Sequence, residues 1–468
     1  KEYRRQRQMC IRDRVVIIGS GLCSGLYGNT GLAQSLQDAL ASAYSNNPGL
    51  HAVRANLRST DEGVPQALSN YRPNLAMSAD VARSMTHLNT RSPNGDRDQI
   101  DTPRNTSLTV TQPLYRGFRT INDVAKAELA VKASRAALLA KEQDVLLSAV
   151  TSYMNVLENQ AKLDLETKNE QVLKRQLQAT QDRFRVGEIT RTDVSQAEAR
   201  VAGAAADRIQ SEGNLNNARA NYVKVIGEVP GKLSQPSKIT QQFKRLEEII
   251  RVALNNHPDV VSQRHLELSA RKNIKTVEGE LLPTVNLVGN LARAWETAGN
   301  DDQKTTGKIT LNLTMPLYQK GAVYSKLRAA KQSARESSLK LEEAERNVRE
   351  ASAKAWESLN SAEARIRSFT AQIESAEIAL EGVQREAAVG SRTVLDVLDA
   401  EQELLDAKIS LIGANKEQVV ASFQLREAVG QLTAKSLALP VKRYNPMSHY
   451  NEVRSKWFGL SSSGQTAK

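Results

Sequence analysis

Cysteine and the common catalytic motifs are almost missing from this sequence of 468 residues. Its two cysteines, Cys10 and Cys23, both lie near the start, so the rest of the chain has no thiol for disulfides or for a cysteine-ligated metal site. The five histidines are scattered, and no HExxH pair, Walker loop or nucleophile–base pattern is present. We therefore expect no enzymatic activity, no cofactor and no metal centre.

Proline, glycine and aromatic residues are also sparse, with 13 prolines, 25 glycines and 4% aromatics. Long stretches without proline that are rich in Ala, Glu, Gln, Lys and Arg favour long helices. No apolar run approaches the ~18 residues of a membrane-spanning helix, so any passage through a membrane would require a β-barrel. The net charge is +12, but basic and acidic residues alternate as on solvated helix faces, and we expect no nucleic-acid partner.

The first 33 residues resemble a secretory leader. Residues 1–14 are basic and need not be native, and a weakly apolar stretch begins at Val15. Gly31-Leu32-Ala33 is a small-x-small pattern, which predicts processing after Ala33. Cys23 follows Leu22, whereas a lipoprotein signal needs a small residue there, so plain cleavage is favoured over lipidation.

An internal repeat spans most of the chain. Asn46-Asn47-Pro48 and Pro73 recur at one constant spacing as Asn256-His257-Pro258 and Pro283. At a slightly shorter spacing, further pairs recur in order: Pro113-Leu114-Tyr115 with Pro316-Leu317-Tyr318, Val186-Gly187 with Val389-Gly390, Asp193-Val194 with Asp396-Val397, and Gly227 with Gly430. Chance similarity between alanine-rich helices would not keep prolines and glycines in register. We predict a leader (1–33), a first repeat (34–235), a second repeat (236–438) and a flexible tail (439–468).

Each repeat is predicted to contain a helix, two strands, a very long helix, a turn and a return helix. The first helix should run from Ser35, its N-cap, to about Gln66. Apolar and polar residues then alternate in both halves, most clearly from Thr284 to Trp295 and again from Ile309 to Met315. The polar stretch from His87 to Arg104 is predicted to be a loop.

These strands could belong to a soluble sheet or to a membrane barrel. We favour the barrel, because the sequence offers no separate apolar layer to cover them. Four strands cannot close a barrel, and unpaired edges are not tolerated in hydrocarbon, so several chains must pool their strands. Three chains would supply twelve. Tyr115 and Tyr318 could then lie in an interfacial aromatic girdle or simply pack at the strand–helix junctions.

The two longest proline-free stretches, from Phe118 to about Arg185 and from Ala322 to Ala388, predict rods of about 100 Å. In the return helix of the second half, apolar residues recur with the coiled-coil period of seven, at Leu398, Leu405, Ile412 and Val419. The Val-Gly pairs would end the rods and begin the return helices, which gives two antiparallel hairpins.

The hairpin turns carry a family resemblance. Val186-Gly187-Glu188-Ile189-Thr190-Arg191-Thr192-Asp193-Val194 and Val389-Gly390-Ser391-Arg392-Thr393-Val394-Leu395-Asp396-Val397-Leu398-Asp399-Ala400 resemble the two periplasmic-tip motifs of the TolC family. The tandem halves and Pro-Leu-Tyr junctions are similar as well. The resemblance covers about residues 35–435 and is nearer to the branch that serves type I secretion and drug efflux than to the lipidated branch.

The resemblance implies a homotrimer in the outer membrane: a mainly α fold with membrane β, in which a twelve-stranded barrel continues into a twelve-helix coiled-coil tunnel. The implied partners are outer-membrane lipid, a periplasmic adaptor and an inner-membrane ABC or RND transporter. Adaptor contact would fall to Val186, Gly187, Val389 and Gly390. Such a duct conducts cargo passively from the pump to the outside.

The resemblance also implies how the tunnel entrance is built. Asp396 and Asp399 match the carboxylate rings that narrow the entrance, while Thr192, Asp193 and Arg392 match the link that holds it shut. Where the family's archetype has a tyrosine, this chain has Ala387, so that part of the latch would be absent or rebuilt. From the residues alone, the favoured interpretation is that both aspartates simply cap or solvate the return helix. A structural coiled coil and a periplasmic adaptor are the competing functions.

Overall fold

The computed structural model describes residues 34–88, 97–236, 245–296 and 302–460. The leader predicted for residues 1–33 therefore lies outside the described part of the chain. The helices and strands of the first half are α1 (Leu36–Asn46), α2 (Pro48–Asp61), α3 (Gly63–Leu68), β1 (Asn74–Val81), β2 (Ser84–Leu88), β3 (Arg97–Asp101), β4 (Arg104–Tyr115), α4 (Arg119–Arg185) and α5 (Arg191–Ile226).

The second half follows the same plan. Its helices and strands are α6 (Leu246–Asn256), α7 (Pro258–Glu278), β5 (Thr284–Trp295), β6 (Gln303–Thr314), α8 (Ala322–Ala388) and α9 (Val394–Ala428), and a short helix α10 (Ser448–Val453) comes after them. Helices α4 and α8 have 67 residues each, which makes both about 100 Å long, as predicted. No helix in the described ranges combines the length and the apolarity needed to cross a membrane.

The first predicted helix is divided into three. It begins as predicted with a capping box, in which Asp38 N–H donates to Ser35 Oγ at 3.2 Å and Ser35 N–H donates to the Asp38 carboxylate at 3.1 Å. It ends at Asn46 because Pro48 has no N–H to continue the ladder. Pro48 instead begins α2, where Leu50 N–H donates to Asn47 Oδ1 at 3.2 Å.

Short and long helices meet end to end in both halves. Two residues after the end of α9, Gly430 has a left-handed conformation (φ 75°), and an added Cβ there would lie 2.7 Å from the backbone oxygen of Asn256. The end of α9 therefore abuts the α6–α7 corner. The equivalent Gly227 (φ 89°) lies against Asn46 at the α1–α2 corner. Close approach and positive φ together require glycine at Gly430.

Four strands form one antiparallel sheet in the order β1-β4-β5-β6, so each half contributes one hairpin-like pair. The central strands β4 and β5 belong to different halves and pair from Arg104 opposite Trp295 to Tyr115 opposite Val285. Strands β1 and β6 are the edges of the sheet. The two halves are thus joined through their strands as well as along α7, which packs against both α4 and α8.

The predicted loop from His87 to Arg104 is wrong in part. Strands β2 and β3 pair in this region, with Met85 opposite Ile100, and form a separate two-stranded sheet. The sequence obscured this hairpin because its apolar residues are few and widely spaced. Residues 89–96, which fall within the predicted loop, lie outside the described part of the chain.

The largest apolar core lies where α1 and α2 pack against α4 and α5. Tyr153 and Tyr222 are fully buried there, and the single hydroxyl hydrogen of Tyr153 is shared between the backbone oxygens of Gln34 (2.9 Å) and Ser234 (2.6 Å). This core also includes Leu432 and Leu439, which follow α9 in the chain.

Residues 439–460 differ from the flexible tail that their composition predicted. Tyr444 N–H donates to Tyr44 Oη at 3.0 Å, Arg72 donates to the backbone oxygen of Lys456 at 2.8 Å, and Val453 is buried. The reason is that this segment supplies aromatic and apolar side chains to a surface that α1 and α2 leave open. Residues 461–468 lie outside the described part of the chain.

Candidate membrane sheet and tunnel entrance

One face of the four-stranded sheet is apolar. Side chains on this face come from alternate positions that the strand register places side by side, in the pairs Leu75–Val110, Met77–Leu108, Leu108–Leu291, Leu287–Leu311 and Val285–Leu313. Several are more than half exposed in the single chain, among them Met77 (73%), Ile309 (82%) and Leu313 (68%). An apolar patch that spans four strands and has no cover is typical of a surface that meets another protein or lipid.

The opposite face is polar. Ser78 and Ser107 share a hydrogen bond of 2.9 Å, Asn105 donates to Asp80 at 2.9 Å, and Asn290 donates to Thr109 at 2.9 Å. The alternation of the two faces matches the pattern of a membrane β-sheet with a wet interior. At the strand ends, Tyr115 packs edge-on against Phe118 at 5.3 Å, whereas Tyr318 is 76% exposed.

The turn between α4 and α5 is a Schellman motif. Gly187 has φ 80°, its N–H donates to the carbonyl of Phe184 at 3.0 Å, and Glu188 N–H donates to that of Arg183 at 3.0 Å. Helix α5 then begins with a capping box, in which Asp193 accepts from Thr190 N–H at 2.9 Å. Val186 is left exposed at the end of the hairpin.

The turn between α8 and α9 repeats this geometry. Gly390 also has φ 80° and donates to the carbonyl of Ala387 at 3.2 Å, while Ser391 N–H donates to that of Glu386 at 3.0 Å. Val389 is exposed in the position of Val186. The two predicted adaptor-contact pairs therefore form two matching, solvent-exposed tips.

Asp396 and Asp399 lie one helical turn apart at the start of α9 but have different surroundings. Asp396 closes a capping box and accepts from Thr393 N–H at 2.9 Å and from Thr393 Oγ1 at 2.8 Å. These hydrogen bonds to its charged form lower the pKa of Asp396. Asp399 instead forms an ion pair with Arg200 of α5, which links the two hairpins of one chain.

The structure does not bring the three predicted link residues together. Within the described residues, no hydrogen bond or ion pair joins Arg392 to Thr192 or Asp193. Arg392 donates to Glu386 at 2.9 Å, which raises the pKa of the guanidinium, and Asp193 is held by its own capping box. Thr192 is exposed in the first turn of α5. In this chain, then, Arg392 and Asp193 are each paired within their own hairpin.

Sequence reasoning missed two partners at the entrance, Arg200 and Glu386. Arg200 lies one heptad after Asp193, which places it on the same face of α5. That spacing could have indicated that it faces the neighbouring hairpin. Glu386 occupies the position equivalent to Arg183, so a comparison of the two halves could have found it.

Comparison with known proteins identifies the family. The sequence model of the outer membrane efflux protein family matches in two segments, residues 39–228 and 249–431. The outer membrane efflux protein BepC of Brucella suis biovar 1 is 34% identical over 448 residues, which cover 95% of this chain and 96% of BepC. The outer membrane protein TolC of Escherichia coli K12 is 26% identical, with 90% of this chain and 87% of TolC covered.

A solved structure shows the same fold. The outer membrane protein VceC of Vibrio cholerae superposes with a TM-score of 0.74 at 19% identity, covering 84% of this chain and 96% of VceC. The predicted fold class, mainly helical with membrane strands, is thereby confirmed, as are the resemblance and the outer-membrane location. The chain belongs to the outer membrane efflux protein family, and it is an outer-membrane exit channel.

Proposed function

We propose that three copies of the chain close one twelve-stranded barrel in the outer membrane. The observation that carries this proposal is the four-stranded sheet, which has one apolar face and two edges, β1 and β6, without a partner strand among the described residues. Backbone groups at such edges cannot remain unpaired in hydrocarbon, where each costs several kcal/mol. Pairing β1 of one copy with β6 of the next satisfies both edges.

Disulfide cross-linking between the edges tests this arrangement. Cysteines placed on the polar face, Ser78→Cys on β1 together with Thr306→Cys or Lys308→Cys on β6, should link neighbouring copies in outer-membrane fractions. The expected product on a non-reducing gel is a ladder that ends at three chains. Two β6 positions are used because the register between copies is not fixed by the fold of one chain.

A matched control uses the central strands. Thr109→Cys and Asn290→Cys lie opposite each other on β4 and β5, so they should form a disulfide within one chain and no ladder. A ladder that continues beyond three chains would contradict the trimer. Monomers only, at both β6 positions, would contradict barrel closure by neighbouring copies.

The two exposed tips are proposed to dock a periplasmic adaptor that connects the channel to an inner-membrane ABC or RND transporter. Val186-Gly187 and Val389-Gly390 support this role, because each tip presents a valine and an open glycine backbone at the far end of a 67-residue rod. The channel itself would conduct cargo passively, and substrate choice would rest with the transporter. No catalytic role is proposed.

The tunnel entrance is proposed to lie at the same end. Around a threefold axis, Asp396 and Asp399 would form two carboxylate rings that attract cations. The Asp399–Arg200 ion pair partly neutralises one ring, so Asp396 would set most of the charge. The closing link of Thr192, Asp193 and Arg392 is proposed to form between neighbouring chains, because Arg392 and Asp193 are not joined within one chain.

A further inference from the structure

Two large aromatic side chains near the end of the C-terminal segment, residues 439–460, are left largely exposed. Trp457 is 58% exposed and Phe458 is 87% exposed, and their ring centroids are 6.5 Å apart. Rings of this size contribute strongly to stability when they leave water, so two neighbouring exposed rings indicate a surface that meets lipid or another protein. We call these two residues the aromatic pair.

The aromatic pair is held in place by the residues before it. Val453 is buried, and Arg454 donates to the carboxylate of Glu128 on α4 at 2.9 Å. The guanidinium of Arg135, also on α4, lies 4.7 Å from the ring centroid of Tyr450. The exposure of the pair is therefore a property of the fold, because the segment that carries it is packed on helices.

Arg72 places the aromatic pair at one end of the four-stranded sheet. Its guanidinium donates to the backbone oxygen of Lys456 at 2.8 Å and lies 4.7 Å from the ring centroid of Trp457. Arg72 comes two residues before β1, at the end of the sheet where the strands continue into helices. The pair thus lies at the level where the membrane sheet gives way to the helical part of the chain.

The apolar face of the sheet lies on the same side as this contact. Gln112 of β4 comes two residues after Val110, so its side chain is on the apolar face. It donates to the backbone oxygen of Tyr71 at 2.9 Å, which places the chain just before Arg72 over that face. Phe118, just beyond β4, is also more than half exposed. The aromatic pair therefore continues the apolar surface of the sheet.

The surroundings of the aromatic pair are basic. The four connections between strands and helices at this end, together with residues 454–460, contain five basic side chains and one acidic side chain. These connections are residues 69–73, 116–118, 279–283 and 315–321. The acidic residue, Glu280, already pairs with Lys326 of α8 at 3.0 Å. Positive charges beside exposed aromatic rings fit the boundary of a bilayer, where phosphate groups border the acyl chains.

A second copy of the chain fits this position less well than lipid. The C-terminal segment lies against α2 and α4, which precede β1 and follow β4 in the chain. A neighbouring copy would instead meet the chain at the open edges of its sheet, along β1 or β6. The aromatic pair therefore lies over the chain's own strands and helices, on the side of the apolar face.

We propose that the aromatic pair anchors the channel in the phospholipid leaflet that borders its helical part. The rings of Trp457 and Phe458 lie among the first carbons of the acyl chains, and Arg72 contacts the phosphate groups. The second repeat has Leu282 at the position of Arg72, so the anchor occurs once per chain. This contact requires the outer-membrane location but neither the trimer nor adaptor docking.

Tryptophan fluorescence of the full chain in vesicles tests the anchor. The protein is reconstituted in vesicles of phosphatidylethanolamine and phosphatidylglycerol with plain or 6,7-dibrominated acyl chains, and only floated vesicles are measured. The chain has three tryptophans, and W295F/W356F leaves Trp457 alone. Its emission should fall about twofold in the brominated vesicles, because bromine quenches rings that it contacts. Quenching by 11,12-dibrominated chains should be weaker, since the proposed contact is shallow.

The other two tryptophans provide the controls. Trp356 lies on α8, about 50 Å beyond its first residue, so W295F/W457F should emit equally in both kinds of vesicle. Trp295 ends β5 on the apolar face, and W356F/W457F should be quenched if the sheet is in the bilayer. Equal emission of Trp457 in plain and brominated vesicles would overturn the anchor. If Trp295 is quenched in that case, the membrane sheet stands and the aromatic pair faces water or a second copy.

A second measurement needs no replacement of tryptophan. In a chain with Cys10 and Cys23 changed to serine, Phe458→Cys carries a fluorescent label, and the vesicles contain phospholipids with a nitroxide near the headgroup. The label should be quenched about twofold. Phe184→Cys, at the far end of α4, carries the same label as the control and should not be quenched. Absence of quenching at Phe458→Cys, or equal quenching at Phe184→Cys, would also overturn the anchor.

Discussion

The two hairpin turns share a backbone but not a charge pattern. Both use a Val-Gly pair, a left-handed glycine with φ 80° and a capping box. Across the first turn Arg183 pairs with Glu188, whereas across the second Glu386, at the position of Arg183, pairs with Arg392. In the first turn the basic residue of the ion pair ends the long helix, whereas in the second turn the acidic residue does. Turn geometry depends on glycine and capping residues, so it was kept in both halves, while the charged residues were free to differ.

The largest expected effect concerns what the two turns have in common. Replacing Gly187 or Gly390 by leucine would put a bulky side chain on an exposed tip at positive φ, with no neighbouring atom within 4 Å of the new Cβ. Because nothing inside the hairpin clashes, the oligomer should still form. Docking should fail, and export from cells should fall about a hundredfold or more, as expected when a central interface contact worth 2–4 kcal/mol is lost.

Gly213→Leu provides the control for the tip variants. It lies in the body of α5, also has open space around the new Cβ, and has ordinary helical geometry. Export by this variant should be normal. Normal export by both Gly187→Leu and Gly390→Leu would contradict the proposal that the tips dock an adaptor.

The halves also differ in what packs over their short helices. The C-terminal segment packs on α1 and α2, where His449 Nδ1 lies 3.0 Å from Asp61 Oδ2 and Asp61 is fully buried. His449→Ala should leave a buried carboxylate without this partner and reduce the free energy of unfolding by about 3 kcal/mol near pH 7. Chemical denaturation of the purified protein measures the loss.

The pH dependence gives this prediction its sign. Burial raises the pKa of Asp61 above its ordinary value, so its protonation in acid removes the unpaired charge and the deficit of His449→Ala should shrink as the pH falls. His51→Ala changes an exposed histidine of α2 and should cost much less. If His449→Ala and His51→Ala were equally stable at pH 7, the His449–Asp61 pair would not hold the C-terminal segment on α2.

The sequence predicted the repeated architecture well because the residues that begin and end helices act locally. Prolines, left-handed glycines and the Ser35 cap act within a few residues, so their effect is visible in the sequence alone. Alternation from Thr284 to Trp295 likewise predicted a strand with the bounds that the structure has. These features fixed both the order of the helices and strands and the place of the hairpin tips.

Partners distant in the chain could not be predicted in this way. Asp399 pairs with Arg200, and His449 with Asp61, because separate helices happen to meet there. The repulsion of Glu427 by Asp144 and Asp259 likewise arises from residues on three helices, α9, α4 and α7, that look like ordinary surface positions in the sequence. Likewise, the order of residues 439–460 depends on an open apolar surface formed by α1 and α2, which their own composition does not reveal.

The two end-to-end junctions offer a smaller test. Glu427 has a pKa of about 7 in the folded chain, against an ordinary value of 4.5, so its contribution to stability is present below pH 4.5 and is lost as the pH rises through 7. Glu427→Gln should therefore be more stable than the wild type at pH 8, by about 2 kcal/mol, and the difference should close toward pH 5.

Lys224→Gln at the first junction is the matched variant. Lysine side chains keep their charge between pH 5 and 8, so its effect on the free energy of unfolding should not change over that range. If the gain in the free energy of unfolding from Glu427→Gln stayed constant with pH, the second junction would be no less solvated than the first.

The smallest effect concerns the charge at the tunnel entrance. If the Arg200 ion pair masks Asp399, Arg200→Gln should raise the cation-over-anion permeability ratio in planar bilayers by about twofold, because exposed ion pairs are worth only ~0.5 kcal/mol. D396N/D399N should abolish cation preference. The asparagine at position 396 can still accept the hydrogen bond from Thr393 N–H, so the start of α9 should be kept. Arg200→Gln combined with Asp399→Asn should return the ratio close to the wild type, since both members of the pair are then neutral. A lower ratio for Arg200→Gln, or unchanged selectivity in D396N/D399N, would mean that these side chains do not face the conducting path, and the reversed charges of the two turns would then have no part in selecting ions.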